Sequence, residues 1–253
     1  MRFRLKAFGW HLAASATALT LVLGSLYLGW YHWPGWYLTS VVRVLLILCS
    51  VDLVLGPTLT LIIANPRKPR RELARDIAII GTVQLIALSY GAWTLWQGRP
   101  LYYTFSADRL ETVQASDIDP KEAALARQHN PSFAPHWYST ARWVWAPLPD
   151  DADEAAKIVS GASFGGGQDV IDMPRYFKPW NAGLPKLKER LQPLAKIIYF
   201  SKPEKALLES RMRERNLDPA AANALIMWGG TAMRLLAVFD PQTLKLVALI
   251  KPD

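Results

Sequence analysis

Three long runs of apolar residues occupy the first hundred positions of the chain, and they predict three membrane-spanning helices. The runs extend over about 8–30, 41–64 and 77–96. At a rise of about 1.5 Å per residue, each run can cross a hydrocarbon core of about 30 Å. The first run follows a basic start, as in a signal peptide, but it is too long for one and no small-residue cleavage motif follows it. We therefore expect an uncleaved first helix.

The remaining residues, 98–253, have the mixed pattern of one α+β domain. Period-two patterns predict strands at about 102–105, 112–114, 225–228, 234–239 and 244–250, and the last three are arranged as in an antiparallel meander. Helical periodicity predicts helices at about 120–128, 150–159, 185–196 and 203–216. The stretch 131–149 is expected to be irregular, and 161–167 a glycine-rich loop. The predicted fold is a membrane protein: three N-terminal transmembrane α-helices in residues 1–97, then an α+β domain in residues 98–253 that ends in an antiparallel β-meander.

The net charge of +8 is distributed unevenly along the chain. Residues 1–97 contain 9 Lys and Arg against 3 Asp and Glu, whereas residues 98–253 contain 20 against 18. Five basic residues lie in the loop 65–75, while the loop 31–40 contains no Lys or Arg. Since basic loops stay on the cytoplasmic side, the N-terminus is expected to be cytoplasmic and the C-terminal domain to lie across the membrane. In a Gram-negative bacterium, this means the inner membrane and a periplasmic domain. Basic residues gathered beside the membrane also argue against nucleic-acid binding.

Two polar residues interrupt the apolar runs near the middle of the predicted bilayer, Asp52 in the second run and Gln84 in the third. An ionisable group at that depth costs about 2.5–3.5 kcal/mol on insertion scales, so it should face a protein neighbour and not lipid. Gly56-Pro57 follows Asp52 by one turn, and proline bends a helix because it lacks a backbone donor. Either these residues only join spans two and three, or they offer a contact to another protein's transmembrane helix. Proton or ion transport is a third interpretation, for which a single acidic residue is weak support.

Patterns typical of catalysis and metal binding are incomplete in this chain. Cys49 is the only cysteine, which excludes an intrachain disulfide, a CxxC motif and a cysteine-based zinc site. The segment 161–165 matches the G-x-S-x-G nucleophile motif, which requires a preceding strand and a later histidine. Here the preceding segment is predicted to be helical, and all four histidines come earlier in the chain. We therefore expect no catalytic residues, no cofactor and no metal site.

Six short motifs together carry a family resemblance. They are Val51-Asp52 before Leu55-Gly56-Pro57-Thr58-Leu59-Thr60, Gln84 before Tyr90-Gly91, Gly98-Arg99-Pro100, Asp108-Arg109, Met173-Pro174-Arg175-Tyr176 and Val238-Phe239-Asp240. In this combination the chain resembles the TfpX/TfpZ-type type IV pilin accessory proteins. The resemblance covers nearly the whole chain and is strongest from about 50 to 110.

This resemblance implies an inner-membrane protein that assists the assembly, stability or surface display of a cognate type IV pilin and catalyses no reaction. A pilin has a membrane-spanning helix and a periplasmic head before it is polymerised, so a partner with spans and a periplasmic domain can contact both parts. The candidates for partner contact or helix packing are Asp52, Gly56, Pro57, Gln84, Tyr90, Arg99, Pro100 and Arg109. Equally, Arg99 is expected as an anchor at the membrane edge, and Asp108-Arg109 as a simple turn. The expected partners are the cognate pilin, other pilus-assembly proteins and membrane lipid.

Two alternatives stay open from the sequence. One is a membrane-bound enzyme, such as a glycosyltransferase or acyltransferase that modifies the pilin or the envelope, which would need a polar pocket containing a base. The other is a sensor or scaffold that faces the periplasm and has no relation to pili.

Overall fold

The computed structural model describes residues 1–39, 41–164, 167–230 and 233–253. These residues form two compact units. The first, the membrane unit, comprises Met1–His32 and Val41–Gly98. The second, the globular unit, comprises Trp33–Ser40 and Arg99–Asp253, with Ser40 outside the described residues.

Within the described part of the membrane unit, three helices are long and apolar enough to cross a membrane, which confirms the prediction. They are α1 (Arg2–Tyr31), α3 (Val42–Ile63) and α4 (Arg70–Gln97). A short helix between the first two, α2 (Gly35–Leu38), belongs to the globular unit. Helices α1 and α4 begin several residues before their apolar runs, because the basic residues that flank the runs are good helix formers.

The middle of α3 departs from regular α-helical geometry immediately before its proline. Residues Ser50–Leu55 form a π-helical turn, in which the Gly56 N–H donates to the carbonyl group of Val51, five residues back. Pro57 has no N–H to donate, so the α-helical bond pattern cannot run through this point unbroken. Asp52 lies within the π turn. Single π turns of this kind occur often at functional sites in proteins.

The described part of the globular unit contains a seven-stranded mixed sheet. In chain order the strands are β1 (Pro100–Ser106), β2 (Arg109–Gln114), β3 (Arg142–Trp145), β4 (Lys178–Pro179), β5 (Ala224–Trp228), β6 (Arg234–Phe239) and β7 (Leu246–Ile250). Their order in the sheet is β4-β3-β1-β2-β5-β6-β7. The pairs β1–β3 and β2–β5 are parallel, and the other neighbours are antiparallel. The predicted α+β class and the closing antiparallel meander, β5-β6-β7, are thus confirmed.

The inner strands bury side chains on both faces of the sheet, which explains their nearly continuous apolar sequences. In β6, Leu235, Ala237 and Phe239 join the core on one face, and Leu236 and Val238 join the core on the other. All five side chains are fully buried. A strand that is buried on both sides cannot alternate between apolar and polar residues, so its sequence shows an apolar run.

Four further helices in the described residues accompany the sheet: α5 (Pro120–His129), α6 (Ala152–Phe164), α7 (Leu184–Arg190) and α8 (Lys202–Arg213). Helix α5 begins as predicted, with Pro120 in the first turn and the Asp119 carboxylate accepting from the Lys121 N–H at 2.6 Å. Helix α8 begins with a reciprocal capping box between Ser201 and Glu204.

The structure corrects the sequence prediction at three places. The stretch 131–149 contains strand β3, because Val144 is fully buried and its backbone pairs with β1. Helix α6 continues through 161–164, where a loop was expected; Gly165 and Gly166 of that loop lie outside the described residues. Helix α7 ends at Arg190 and not at 196, since Gln192 instead forms a bridge with Ala224.

The loop between α1 and α3 is a structural part of the globular unit, although the sequence analysis placed it in the region 1–97. Leu38 is fully buried in the same core as β1, β2 and β6. The side chains of Trp33, Trp36 and Tyr37 surround the Lys251 ammonium group, with 5.3, 4.5 and 4.6 Å from Nζ to the ring centroids. These contacts are cation–π interactions, and they tie the loop to the chain end beyond β7.

Candidate functional site

A network of polar side chains connects the three helices of the membrane unit. On α1, His11 Nδ1 lies 2.5 Å from Thr60 Oγ1 of α3, and His11 Nε2 lies 2.6 Å from Gln84 Oε1 of α4. Gln84 Nε2 is 3.2 Å from the backbone oxygen of Asp52 and 3.4 Å from its Oδ1. Asp52 and Gln84, both expected to face protein and not lipid, are therefore next to each other, and both are buried.

The partners of Gln84 determine which ring nitrogen of His11 carries a hydrogen. Reversing the Gln84 amide would place its oxygen against two oxygens of Asp52, so the orientation that donates to Asp52 is the consistent one. The amide oxygen then faces His11 Nε2 and can only accept, so Nε2 carries the hydrogen. In the neutral ring, Nδ1 accepts from the Thr60 hydroxyl group. The hydrogen bonds of the network thus point in one direction: His11 donates to Gln84, and Gln84 donates to Asp52.

The second carboxylate oxygen of Asp52 is the exception in this network. Asp52 is 3 % exposed, and its Oδ2 has no hydrogen-bond partner among the described residues. A buried polar atom without a partner costs about 1–3 kcal/mol, and more when it is charged. An additional hydrogen-bond donor would consequently stabilise the membrane unit most if it bonded to this oxygen.

Gly56 and Pro57 shape the packing around the network. Both are buried. A Cβ atom at position 56 would overlap the amide group of Gln84, so glycine is what allows α4 to approach α3 here. A similar close approach occurs nearer the other end of α4, where a Cβ at Gly91 would overlap the Leu48 side chain. Glycine at positions 56 and 91 therefore allows α3 and α4 to pack closely against each other.

Beside the network lies a cavity of about 200 Å³ within the membrane unit. Asp52 and Gln84 line it together with small residues of α1 and α4: Ala14, Ser15, Ala18 and Gly81. His11, Leu85 and Leu88 complete the lining. The small residues let another helix approach closely, and the polar side chains among them can form hydrogen bonds.

The other candidate residues lie apart from this network. Tyr90 is 68 % exposed on α4 and lies beside Trp93, with 6.2 Å between ring centroids. Pro100 begins β1 and is buried. Arg99 is also buried, and its Nη2 donates to the backbone oxygen of His136 at 3.1 Å. These two residues of the globular unit contribute to its interior and offer little surface to a partner.

Arg109 has a more accessible position, at the end of the tight β1–β2 turn. Its Nε donates to Glu111 Oε2 and its Nη2 to Asp169 Oδ2, both at 2.8 Å. The side chain is 39 % exposed. Among the candidate residues of the globular unit, it is therefore the one with substantial exposed surface. The preceding Ala107 has a φ of 50°, consistent with the predicted turn.

His11 is the functional candidate that sequence reasoning missed. In the sequence analysis it counts only as one of the four histidines that precede the G-x-S-x-G motif. A usable signal was present, because His11 is an ionisable residue inside an apolar run, as Asp52 is. Thr60 was missed for another reason: a threonine in a span commonly bonds to its own helix, and its partner lies on α1.

The hydrolase motif has a structural setting that does not fit its chemistry. Ser163 lies in helix α6, so the segment before it is a helix, as predicted, and not a strand. Gly165, the last position of the motif, lies outside the described residues. No group of three or more His, Cys, Asp or Glu side chains in the described ranges is arranged to hold a metal ion.

Comparison with known proteins identifies relatives that align with nearly the whole chain. The fimbrial assembly protein, serogroup I, of Dichelobacter nodosus is 24% identical over 242 residues, which cover 94% of this chain and 91% of that protein. The serogroup E1 protein of the same organism is 24% identical over 244 residues, with the same coverage. The protein of serogroups C1 and C2 is 29% identical over 116 residues, 46% of this chain and 88% of that protein.

No protein-family profile and no solved structure matches the chain. The alignments with the serogroup I and E1 proteins are too long to be confined to the apolar spans, since the spans and their connections end at Gly98. Through both of its structural units, this chain is therefore similar to proteins named for fimbrial assembly.

Proposed function

We propose that this chain is an accessory protein of the bacterial inner membrane that assists the assembly, stability or surface display of a cognate type IV pilin through non-catalytic contacts. The observation that carries this proposal is the similarity to fimbrial assembly proteins over 94% of the chain. The short motifs around Asp52, Gln84 and Arg99 add a resemblance to the TfpX/TfpZ type. A protein with this role needs surfaces that bind its partners, and it does not need a catalytic site.

The proposed topology has the N-terminus in the cytoplasm and the globular unit in the periplasm. Five basic residues in the loop 65–75, against no Lys or Arg in the loop 31–40, support it. The fold supports the three spans, though not their orientation, because Trp33, Trp36 and Leu38 of the first loop form part of the globular unit. The first loop and the C-terminal residues must then lie on one side of the membrane, as an odd number of spans requires.

Each unit has a proposed part in binding the pilin. The membrane unit offers polar groups at mid-bilayer depth to the pilin helix, and the globular unit contacts the pilin head. In the globular unit, the exposed part of Arg109 is the candidate position for such a contact. Arginine is frequent at the centres of protein interfaces because its planar group forms several hydrogen bonds at once.

A clean deletion that scores surface pili and total cellular pilin together tests the function. Fewer surface pili with an intact pilin pool would support a role in assembly or display. A pool that collapses as well would support stabilisation of the pilin before assembly. If neither quantity changes, and the complemented strain is indistinguishable from the deletion, the chain has no function in pili and the proposal is wrong.

A further inference from the structure

Asp52 Oδ2 marks a place in the membrane unit where one hydrogen bond is available. The side chain is 3 % exposed, and this oxygen has no partner among the described residues. Its neighbours in the network already have partners, because the Gln84 amide donates to Asp52 Oδ1 and the His11 ring to Gln84. Asp52 lies midway along α3, where the hydrocarbon core contains no water to supply a donor. A membrane-embedded molecule that reaches this depth can supply the donor.

The surroundings of this oxygen favour a helix as the molecule that supplies the donor. Ala14 and Ala18, one turn apart on α1, and Gly81 on α4 line the cavity beside Asp52. A Cβ atom built at Gly81 meets nothing within 4 Å. Small residues on a helix surface let another helix approach closely, and such close approach is the main driving force for association in lipid.

Helix α1 also has a largely uncovered surface. In its most apolar window, 6% of the residues are buried inside the protein, against 28% for α3 and 22% for α4. A helix with so few internal contacts, carrying small and polar residues on the side of the cavity, is well placed to pack against a further helix. The cavity lies on the face of α1 that carries His11, whose ring contacts α3 and α4, and Ser15 and Ala18 form part of its wall.

We propose that the cavity between α1 and α4 is the docking site of the pilin's transmembrane helix, and that this helix donates a hydrogen bond from a hydroxyl, amide or ammonium group to Asp52 Oδ2. The identity of the partner rests on the function proposed above. The location, the donor chemistry and the participation of α1 go beyond it. They also differ from the sequence-based hypothesis, in which spans two and three form the contact, because Gly56 and Gln84 pack against each other.

Site-specific photo-crosslinking in cells tests the location with the full chain. A photoreactive residue at Leu85, which lines the cavity and is 62 % exposed, should crosslink to the pilin, as detected with an antibody against the pilin. The control is the same residue at Val54, which is 59 % exposed, lies two positions from Asp52 and does not line the cavity. A pilin adduct at Leu85 and not at Val54 supports the proposal.

Three variants test the shape and the chemistry. Gly81→Leu fills the cavity, and it should lower the Leu85 adduct at least tenfold. Gly24→Leu, at an equally open position on α1 outside the cavity, should leave the adduct unchanged. Asp52→Asn keeps an oxygen for the Gln84 amide and turns the position of Oδ2 into a donor, so it should also lower the adduct.

The outcomes separate this inference from the proposed function. An adduct at Leu85 with a second copy of this chain, or with lipid alone, overturns the pilin helix as occupant. An unchanged pilin adduct in Asp52→Asn overturns the donor chemistry. If deletion removes surface pili while Gly81→Leu and Asp52→Asn retain both pili and adduct, the docking site is wrong and the function stands. If deletion leaves pili and pilin unchanged, the proposed function itself fails.

Discussion

The backbone carbonyl group of Leu38 packs directly against Gly229, the residue that follows strand β5. A Cβ atom at position 229 would overlap this carbonyl group and the Leu38 Cα. The Gly229 N–H donates to the Met233 oxygen at 2.7 Å, so its own backbone is fixed in place as well. Glycine in or next to a strand often marks a site where another backbone approaches closely. Here it seats the loop between two membrane spans against the sheet.

Replacing Gly229 by alanine should displace this loop and destabilise the globular unit by about 1–3 kcal/mol, the usual cost of overpacking. Urea denaturation of the full chain in detergent, followed by tryptophan fluorescence, measures the change. The neighbouring Gly230→Ala is the control, because its Cβ meets the end of the flexible Gln114 side chain at 3.2 Å and lies 3.8 Å from the Leu38 oxygen, which is an ordinary contact. Equal losses in both variants would contradict the proposed seating of the loop.

Leu38→Ala tests the same loop through its side chain. Leu38 is fully buried in the core that includes Phe105 and Phe239, so truncation should cost about 2–5 kcal/mol. Leu148→Ala is a matched change at a position that is 42 % exposed, and it should cost much less. The same denaturation measurement applies. If the loop only connected α1 to α3 and did not pack into the core, the two variants would lose the same amount of unfolding free energy.

The sequence could not predict this seating of the loop, for a physical reason. The aromatic residues between Trp30 and Tyr37 have the composition of an interfacial belt, which needs no partner in the protein. What fixes the loop is a backbone approach to Gly229, about 190 positions further along the chain. Strands and helices follow from local periodicity, whereas a contact of this kind exists only after the sheet has formed. The missed strand β3 has the same origin, since its pairing with β1 is not local.

The intramembrane site was more accessible to prediction, because polar groups in an apolar run have few options. The cost of exposing Asp52 and Gln84 to lipid predicts that each faces a protein neighbour. It does not predict that they face each other through the Gln84 amide, or that His11 continues the network on a third helix. Those contacts depend on how each helix is rotated about its axis and on how closely α3 and α4 approach each other. Glycine at position 56 determines how closely they approach.

Gly56→Ala should disrupt the network from within. The added Cβ would force the Gln84 amide to move and break its hydrogen bonds to Asp52 and His11. Interhelical hydrogen bonds in membranes are worth about 0.6 kcal/mol on average, so we expect a loss of about 1–2 kcal/mol. Unfolding in mixed micelles with increasing SDS measures it.

Gly81→Ala is the control for Gly56→Ala, since a Cβ at position 81 meets nothing within 4 Å. It should change the unfolding free energy by less than about 0.5 kcal/mol. If Gly56→Ala is equally harmless, the Gln84 amide does not hold α3 and α4 together.

Asp172 should make the stability of the globular unit depend on pH. Burial, together with the neighbouring charges of Asp117, Glu111 and Asp169, raises the pKa of the Asp172 carboxyl group from 3.8 to about 7, while Arg109 opposes the shift. Between about pH 4 and pH 7 the folded chain therefore holds a proton that the unfolded chain has released. Stability conferred by this group is present below pH 4 and is lost as the pH rises towards 7.

Other carboxylates act in a different range of pH. Hydrogen bonds from the Ser201 backbone lower the pKa of Glu204, and hydrogen bonds from the Thr243 backbone lower that of Asp240. Their stabilisation is present above the usual carboxyl pKa and is lost as the pH falls below it, which is the opposite sign. A fall in stability from pH 4 to pH 7 therefore cannot come from these two groups.

Asp172→Asn should remove the part of the pH dependence that belongs to this carboxyl group. A group that binds a proton only in the folded chain changes the unfolding free energy by about 1.4 kcal/mol per pH unit at most. The variant should match the parent protein near pH 4 and exceed its stability at pH 8, where the parent carries a buried negative charge among other acidic residues. Urea denaturation of both proteins at each pH unit from 4 to 8 gives the difference between the two curves. Parallel curves would mean that Asp172 is ionised in the folded chain throughout this range, and that its neighbours do not hold its proton.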